Sequence, residues 1–285
     1  MKYLLVLICC LLATAKVVTQ GAFSKKSIRN FSDAVFFIGL TFAFSSAIFF
    51  PALIGCSLQT WGYGALFGLL SMIFQLTYTK ALSMGNVSLT VMISNFSMLF
   101  TVVLSATVYR EPISPLRLVG ILLTLTALVV STEFKRNNKR EKSWLLLALT
   151  ALVCSGLASC VLKIFSTTKA AKESMALISC GYLVAAVATF LCYALLMACR
   201  KTKRYQTGRK VFLYAFCTGF FLAVFQLVYQ YAIANVDGTF LFPAFSGASI
   251  ILSSLTGILL FKDKLSPKQM LSLATGCAAV VLMNF

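Results

Sequence analysis

Residues 74–118 begin with Phe-Gln-Leu-Thr-Tyr, and residues 225–270 begin with Phe-Gln-Leu-Val-Tyr. In both stretches a turn of small residues and a long apolar run follow the pentad, and an acidic residue and a Ser-Pro pair come next. The acidic residue is Glu111 in the first stretch and Asp263 in the second. The offset between the copies is 151 residues at the pentad and 152 at Ser-Pro. A repeat with a nearly fixed offset marks one structural unit present twice, so two related halves are predicted.

Composition places both halves in a membrane. Hydrophobic residues make up 60% of the chain and charged residues 11%, whereas a soluble domain has about 25% charged residues. A helix needs about 20 apolar residues to cross the bilayer. Ten stretches meet that requirement, and they are residues 3–22, 33–54, 61–80, 87–109, 115–134, 144–166, 173–199, 211–234, 239–261 and 266–284. The predicted fold class is therefore all-α, a polytopic membrane protein with ten transmembrane helices.

The ten predicted helices divide evenly between the halves. The predicted units are a first five-helix repeat at residues 1–134, a basic linker at residues 135–143 and a second five-helix repeat at residues 144–285. Because five is an odd number, the second repeat crosses the membrane in the opposite direction, so the repeats are inverted relative to each other. Inverted repeats recur in transporters, where the substrate site lies near the bilayer midplane at the interface of the halves.

The N-terminal stretch has two interpretations. Lys2, the apolar residues 3–13 and the small residues 13–15 resemble a cleavable signal peptide. Cleavage would leave nine predicted helices and an unmatched second half, which has its own opening helix at residues 144–166. Symmetry therefore favours a first helix that is retained in the protein.

Basic residues are distributed unevenly between the two sides of the predicted membrane. Of the 25 Lys and Arg residues, 18 fall in the loops after the odd-numbered helices, five fall on the opposite side, and Lys16 and Lys163 fall within helices. The side rich in Lys and Arg is cytoplasmic in membrane proteins. The linker 135–143 is therefore predicted to be cytoplasmic and both termini external, in a cell (inner) membrane. Since the net charge of +18 resides in these loops, no nucleic-acid partner is expected.

Two glutamine–tyrosine pairs are candidates for substrate binding. Gln75 and Tyr78 are three residues apart on one helical face, and Gln226 and Tyr229 repeat that spacing. A side-chain amide in lipid is costly unless it finds a partner, so these faces are predicted to point into the bundle. One interpretation is that both pairs line a central cavity and bind a polar solute. The other is that they join neighbouring helices by hydrogen bonds.

Two lysines lie within predicted helices. A charged side chain inside the membrane is costly and usually has a function, and a lysine there can attract a carboxylate or a phosphate. The alternative is snorkelling, in which the stem lies along the helix and the ammonium reaches the headgroups. Lys163 is close to its helix end, which favours snorkelling, whereas Lys16 lies deeper and is included among the candidate substrate-binding residues.

Residues near the middle of the fourth and ninth predicted helices complete the candidate site. These are Asn95 and Ser94 in the fourth helix, and Phe242, Phe245 and Pro243 in the ninth. Pro243 frees a backbone carbonyl and can kink its helix, which suits a gate, although proline is common in membrane helices. Elsewhere, Glu111 and Asp263 are each expected to lie at the start of the helix that follows, where a carboxylate interacts favourably with the helix dipole.

Several further motifs occur along both halves. They are Tyr-Thr-Lys-Ala-Leu-Ser-Met-Gly at 78–85, Tyr-Arg-Glu-Pro-Ile-Ser at 109–114, Gly120, Tyr-Ala-Ile at 231–233, Pro243 and Lys-Asp-Lys-Leu-Ser at 262–266. In their order and spacing they resemble the EamA-like, ten-helix branch of the drug/metabolite transporter superfamily. The resemblance implies a basket of helices that carries small solutes by alternating access. The chain departs from the family in having Met92 where the second half has Pro243, and in its predicted external termini.

The predicted function is secondary transport or export of a small organic metabolite, such as an amino acid or related solute. The alternative is a flippase or an accessory subunit for lipid-linked sugars, which some members of the superfamily resemble. An enzyme is not expected, because the chain has no histidine and no clustered carboxylates. No cofactor or metal is expected, and the ten cysteines lack metal-ligand spacing. The expected partners are a small-molecule substrate and the lipid bilayer, with monomer and homodimer both left open.

Overall fold

The computed structural model describes residues 2–28, 30–108, 115–116, 119–120, 122–123, 126, 139–199, 209–236, 238–263 and 266–283. Every regular element within these ranges is a helix. The all-α class predicted from composition is therefore confirmed for this part of the chain. Glu111 and most of the predicted fifth helix, residues 115–134, lie outside the described residues.

The first half contributes five described helices. They are α1 (Lys2–Ser27), α2 (Phe31–Phe49), α3 (Leu58–Met84), α4 (Val87–Asn95) and α5 (Met98–Thr107). A short 3₁₀ helix, Phe50–Leu53, continues α2.

The second half also contributes five described helices. They are α6 (Lys139–Ser166), α7 (Ser174–Ala198), α8 (Arg209–Asn235), α9 (Gly238–Leu259) and α10 (Pro267–Met283). The 3₁₀ helix Ala171–Glu173 leads into α7.

Membrane-spanning capacity agrees with the composition. Seven helical segments in the described residues are long and apolar enough to cross a membrane, and two further apolar helices, Phe245–Leu259 and Met270–Ala279, are shorter. The protein is thus a multi-pass helical membrane protein. The number of ten transmembrane helices remains a prediction, because residues 115–134 are described only at isolated positions.

The predicted fourth helix, residues 87–109, consists of two helices rather than one. The N–H of Phe96 donates to the carbonyl of Ile93 at 3.2 Å, and the N–H of Leu99 donates to the carbonyl of Phe96 at 3.0 Å. These bonds to the third preceding residue tighten the chain between α4 and α5 into a 3₁₀-type turn. Irregular backbone at membrane depth is tolerated where it is buried in protein or lines a cavity.

Helices α3 and α7 approach each other closely through glycines. A Cβ atom on Gly68 would lie 2.2 Å from the carbonyl oxygen of Gly181, and one on Gly64 would lie 2.8 Å from the Sγ atom of Cys180. Gly64 and Gly68 are four residues apart and lie on the same face of α3. Small residues at this spacing let transmembrane helices pack backbone to backbone.

Contacts between the halves hold the bundle together. Helix α3 packs against α6 and α7, and α8 packs against α1 and α2. Helix α2 also packs against α7, and α4 against α9. The ring of Phe42 lies 5.6 Å from that of Tyr182 between centroids, and the ring of Phe44 lies 5.6 Å from that of Phe216. Helices from both halves therefore surround one central space.

A carboxylate joins the start of α3 to the start of α7. Oε2 of Glu173 accepts hydrogen bonds from the N–H and hydroxyl of Ser57, both at 2.9 Å, and from the hydroxyl of Thr60. Ser57 is the N-cap of α3 and also accepts from the N–H of Thr60 at 3.3 Å. The carboxylate therefore lies where the helix dipole favours negative charge, and it fixes this end of the bundle.

Candidate functional site

A cavity of about 180 Å³ lies among the helices of both halves, and each of α1 to α9 contributes at least one residue to its wall. Pockets for drug-sized ligands are larger, roughly 300–1,000 Å³. The volume corresponds to roughly ten water-sized groups. The cavity is therefore of the right size for a small metabolite.

The predicted substrate-binding residues meet in this cavity. Its wall contains Lys16, Gln75, Tyr78, Asn95, Gln226, Tyr229, Phe242 and Phe245, and also Ser94. Pro243, the predicted gate residue, lies within α9 beside Phe242, but its side chain falls outside the described residues. Lys163 lies near the end of α6 and is absent from the wall as described.

Gln75 both lines the cavity and joins two helices. Its Oε1 accepts a hydrogen bond from Nε2 of Gln20 at 3.0 Å, and the same Nε2 donates to the hydroxyl of Thr79 at 2.7 Å. Gln20 lies on α1 and is fully buried. Both interpretations of the first pair thus have a physical counterpart, because Gln75 faces the cavity while tying α1 to α3.

Gln226 differs from its counterpart in the first half. Its side chain is buried, with 6% exposed, and its Nε2 has no hydrogen-bond partner among the residues that the structure describes. A buried donor without a partner carries a desolvation cost that a bound acceptor removes. Gln226 therefore offers a buried donor that a ligand could bind, whereas the described side-chain bond of Gln75 uses its Oε1 as an acceptor.

The two tyrosines of the repeated pairs have aromatic neighbours. Tyr78 lies 5.4 Å from Phe74 between ring centroids. Tyr229 lies 5.2 Å from Phe225, 5.1 Å from Phe245 and 6.4 Å from Phe242. Aromatic pairs at these separations contribute packing beyond their buried area. The α8–α9 side of the cavity is thus the more aromatic side.

Lys16 points its ammonium at the aromatic rings of α3. Nζ lies 5.6 Å from the ring centroid of Phe74 and 5.7 Å from that of Tyr78. The residue is 8% exposed, and no carboxylate among the described residues lies within ion-pair distance of it. Ring faces attract a cation, but they do not neutralise its charge. The ammonium therefore lies in the interior of the bundle rather than snorkelling to a helix end.

Asn95 connects α4 to α9 at the edge of the cavity. Its Nδ2 donates to the carbonyl of Val91 at 3.1 Å and to the hydroxyl of Ser249 at 3.3 Å. The interruption between α4 and α5 lies next to this contact, and Ser97 within it also lines the cavity. The hydroxyl of Ser155 on α6 donates to that of Ser97 at 3.3 Å. Small polar groups thus surround the break.

Sequence reasoning missed the serine part of the wall. Hydroxyl-bearing residues from α3, α5, α6, α9 and the turn before α5 line the cavity, and they are Ser71, Ser97, Thr101, Ser155, Ser159, Ser246 and Ser249. A serine in an apolar run commonly bonds a carbonyl of its own helix, so its presence alone carries no signal. The available signal was their spacing within a helix, as for Ser155 and Ser159, which are four residues apart and therefore lie on one face.

Asp263 occupies a different position from the one expected. It was expected to lie at the N-terminus of the following helix, but its Oδ2 accepts from the N–H and hydroxyl of Ser88, at 3.0 and 3.1 Å, in the first turn of α4. Its Oδ1 pairs with Nζ of Lys25 at 2.8 Å. The carboxylate therefore joins the end of α1, the start of α4 and the segment after α9, because the N-terminus of α4 offers free N–H donors.

Metal binding would require a cluster of ligand side chains among the described residues. No group of three or more His, Cys, Asp or Glu residues is arranged there to hold a metal ion, and the ten cysteines are free thiols.

Comparisons with known proteins agree with this fold. Residues 4–132 match the EamA-like transporter family, so the resemblance predicted from the sequence is confirmed. A solved crystal structure, described only as that of a protein, superposes with a TM-score of 0.67 at 18% identity, covering 99% of this chain and 94% of that chain. At that identity the likeness establishes the fold alone. No curated protein matches the chain. The matched residues lie in the first half of the chain, and this half is similar to membrane transporters of that family.

Proposed function

We propose that the protein is a secondary transporter of a small organic metabolite and that the central cavity is its substrate site. The observation that carries the proposal is the wall itself, in which polar and aromatic side chains from both halves surround a space of about 180 Å³. Transporters bind their substrates near the midplane at the interface of the repeats. Alternating access would then expose this cavity to each side of the membrane in turn.

The packing of the helices supports the inverted ten-helix arrangement within this proposal. Helix α3 packs on α6 and α7, and α8 packs on α1 and α2. Exchanging the halves converts the first set of contacts into the second. The pairs α2–α7 and α4–α9 map onto themselves under the same exchange. A pseudo-two-fold relation between residues 1–134 and 144–285 accounts for all four observations.

The interrupted fourth helix also favours transport. Discontinuous helices at the substrate site are a feature of secondary transporters. Here the turn between α4 and α5 carries Ser97 on the cavity wall, and Asn95 beside it bonds to Ser249 across the helix interface. These contacts cross between the halves, so a movement of one half relative to the other would rearrange the wall.

The test is a solute-accumulation screen in proteoliposomes. Purified protein is reconstituted, incubated with a mixture of metabolites, and the trapped solutes are identified by mass spectrometry. We expect the wild-type protein to move at least one small solute. Ser159→Phe, which places a ring in the cavity, is expected to abolish this movement. Leu157→Phe on the exposed face of the same helix is the control. Unchanged movement by folded Ser159→Phe protein would contradict the proposal.

A further inference from the structure

The cavity has a charge that a general metabolite site does not require. We propose that its substrate is a small organic monocarboxylate with an aromatic or branched apolar body. Its carboxylate would pair with Nζ of Lys16 and accept a hydrogen bond from Nε2 of Gln226. This assignment rests on the proposed function, because it names the chemical class that the same cavity binds.

The first step is the charge balance of the cavity wall. Lys16 lines it, and no aspartate or glutamate does so among the described residues. The chain has seven acidic residues. The four within the described ranges lie at or beyond helix ends, and they are Asp33, Glu141, Glu173 and Asp263. Asp263 is already paired with Lys25. A lysine cation inside a membrane protein is costly without a counter-charge, so a bound anion would remove that cost.

The second step is the way in which Lys16 is held. The rings of Phe74 and Tyr78 lie 5.6 and 5.7 Å from its ammonium. Two rings stabilise the cation and fix its position while leaving its N–H donors and its full charge for another partner. A carboxylate is the partner that forms a charge-assisted hydrogen bond with such a group.

The third step is a second donor in the same cavity. Nε2 of Gln226 is buried and has no acceptor within the described part of the chain. It belongs to α8, whereas Lys16 belongs to α1, and the two helices pack against each other. A carboxylate has two oxygens, so it can accept from both donors at once. A cationic solute would satisfy neither of them.

The fourth step is a comparison between the two halves. The glutamine–tyrosine pairs that line the cavity are present in both halves, as Gln75 with Tyr78 and Gln226 with Tyr229. Among the described residues of the wall, Lys16 of the first half has no lysine or arginine of the second half beside it. The charge is therefore a feature that distinguishes this cavity from its duplicated framework.

The size and apolar part of the wall define the rest of the substrate. Phe42, Phe67, Phe225, Phe242 and Phe245 contribute rings to the cavity. Its volume of about 180 Å³ excludes bulky solutes. One cation balances one negative charge, so a monocarboxylate fits better than a phosphate ester, which carries nearly two.

The experiment is a thermal-shift titration of the purified protein with three probes of matched shape: 3-phenylpropionate, 3-phenylpropionamide and 3-phenylpropylamine. Phenyl phosphate is added as a fourth probe. We expect the carboxylate to stabilise the protein and to bind about tenfold or more tightly than the amide or amine, as loss of a charged hydrogen bond implies. Lys16→Met should remove this preference, and Lys16→Arg should restore part of it. Lys163→Met is the matched control and should retain the preference.

Four outcomes would overturn the carboxylate assignment. They are absence of stabilisation by 3-phenylpropionate, equal binding of the amide or amine, preference for phenyl phosphate, and an unchanged preference in Lys16→Met. The liposome screen distinguishes this failure from failure of the proposed function. Movement of a neutral or cationic solute that Ser159→Phe blocks would refute the carboxylate and leave transport intact. No movement of any solute by the wild-type protein would refute transport itself.

Discussion

At the scale of single residues, the duplicated glutamines have different partners. Gln75 accepts from Gln20 at 3.0 Å, whereas Nε2 of Gln226 has no acceptor in the described residues. The two glutamines therefore have the same neighbours in sequence but different hydrogen bonds. Gln20 of α1 donates to Gln75 of α3, whereas no described residue accepts from Nε2 of Gln226 on α8. The first glutamine stabilises the bundle, and the second is a candidate ligand.

Truncating the two glutamines should separate these roles. Gln75→Ala is expected to lower the free energy of unfolding by about 1–3 kcal/mol, because Oε1 no longer accepts the hydrogen bond from Gln20. Gln226→Ala is expected to spare stability and to weaken substrate affinity by a similar free energy. Thermal unfolding and ligand titration of both variants measure the two effects. The account is wrong if Gln226→Ala destabilises the protein while affinity is unchanged.

The sequence predicted the cavity residues better than it predicted their partners. The three-residue spacing of Gln75 and Tyr78 placed both on one face, and the repeat supplied Gln226 and Tyr229. Gln20 was missed because it has no repeated counterpart and meets Gln75 across 55 residues of chain. Which residues meet between distant helices depends on how those helices pack, and periodicity within one helix carries no information about that packing.

At the scale of helices, the contact of α3 with α7 depends on the absence of side chains. Gly68→Ala would place a Cβ 2.2 Å from the carbonyl oxygen of Gly181, so the helices must separate. We expect a loss of about 1–3 kcal/mol of stability, typical of an overpacked interface. Gly62→Ala on the same helix meets nothing within 4 Å. It should instead stabilise α3 by about 0.5–1 kcal/mol through helix propensity.

Thermal unfolding of the two glycine variants checks this contact directly. Opposite shifts of the melting temperature, downward for Gly68→Ala and upward for Gly62→Ala, are expected. Two shifts of the same sign would show that the close approach of α3 and α7 contributes little to stability.

The carboxylate of Asp263 is a second feature of this scale. It is 1% exposed and bonds both Ser88 and Lys25, whose side chain is 30% exposed. Asp263→Ala removes an N-terminal cap of α4 together with the ion pair, and should cost about 2 kcal/mol or more. Lys25→Met removes the ion pair and the contact of its ammonium with the Phe261 ring at 5.3 Å but leaves both bonds to Ser88, and should cost less than Asp263→Ala. Chemical denaturation measures both, and a larger loss in Lys25→Met would contradict the capping role.

Two helix-level features lay beyond sequence reasoning for identifiable reasons. The break between Asn95 and Met98 contains neither proline nor glycine, the residues that normally signal an interruption. Asp263 was predicted to interact with the helix that follows it, but its carboxylate accepts a hydrogen bond from Ser88, which is 175 residues away in the sequence. A helix N-terminus attracts a carboxylate from any segment that reaches it, so adjacency in sequence does not decide the pairing.

At the scale of the whole molecule, the charge distribution predicts an orientation. Loops after odd-numbered helices carry 18 Lys and Arg residues against five on the opposite side. A reporter fused at Asn138 is expected to behave as cytoplasmic, and one fused after Phe285 as external. Activity of alkaline phosphatase and fluorescent-protein fusions at both sites tests this. The reverse result would restore the usual family orientation, with both termini in the cytoplasm.

Composition was sufficient to predict a helical membrane protein, because membrane helices need long apolar runs. The duplicated pentads supplied residues on two helices, α3 and α8, that line the same cavity. They did not predict the path of the cavity wall, since Ser155 and Ser159 on α6 have no motif around them. The wall is defined by the approach of helices from opposite halves, which only the three-dimensional structure reveals.

Alternating access of the central cavity is tested most directly by thiol accessibility from each side of the membrane. Ser246→Cys, on the cavity wall, is placed in a background without the ten native cysteines and reacted with a membrane-impermeant maleimide. Reagent is added to one side of oriented membranes in one experiment and to the other side in a second. We expect reaction from both sides and protection by bound substrate in both cases. Reaction from neither side, or from one side alone under all conditions, would contradict transport through this cavity.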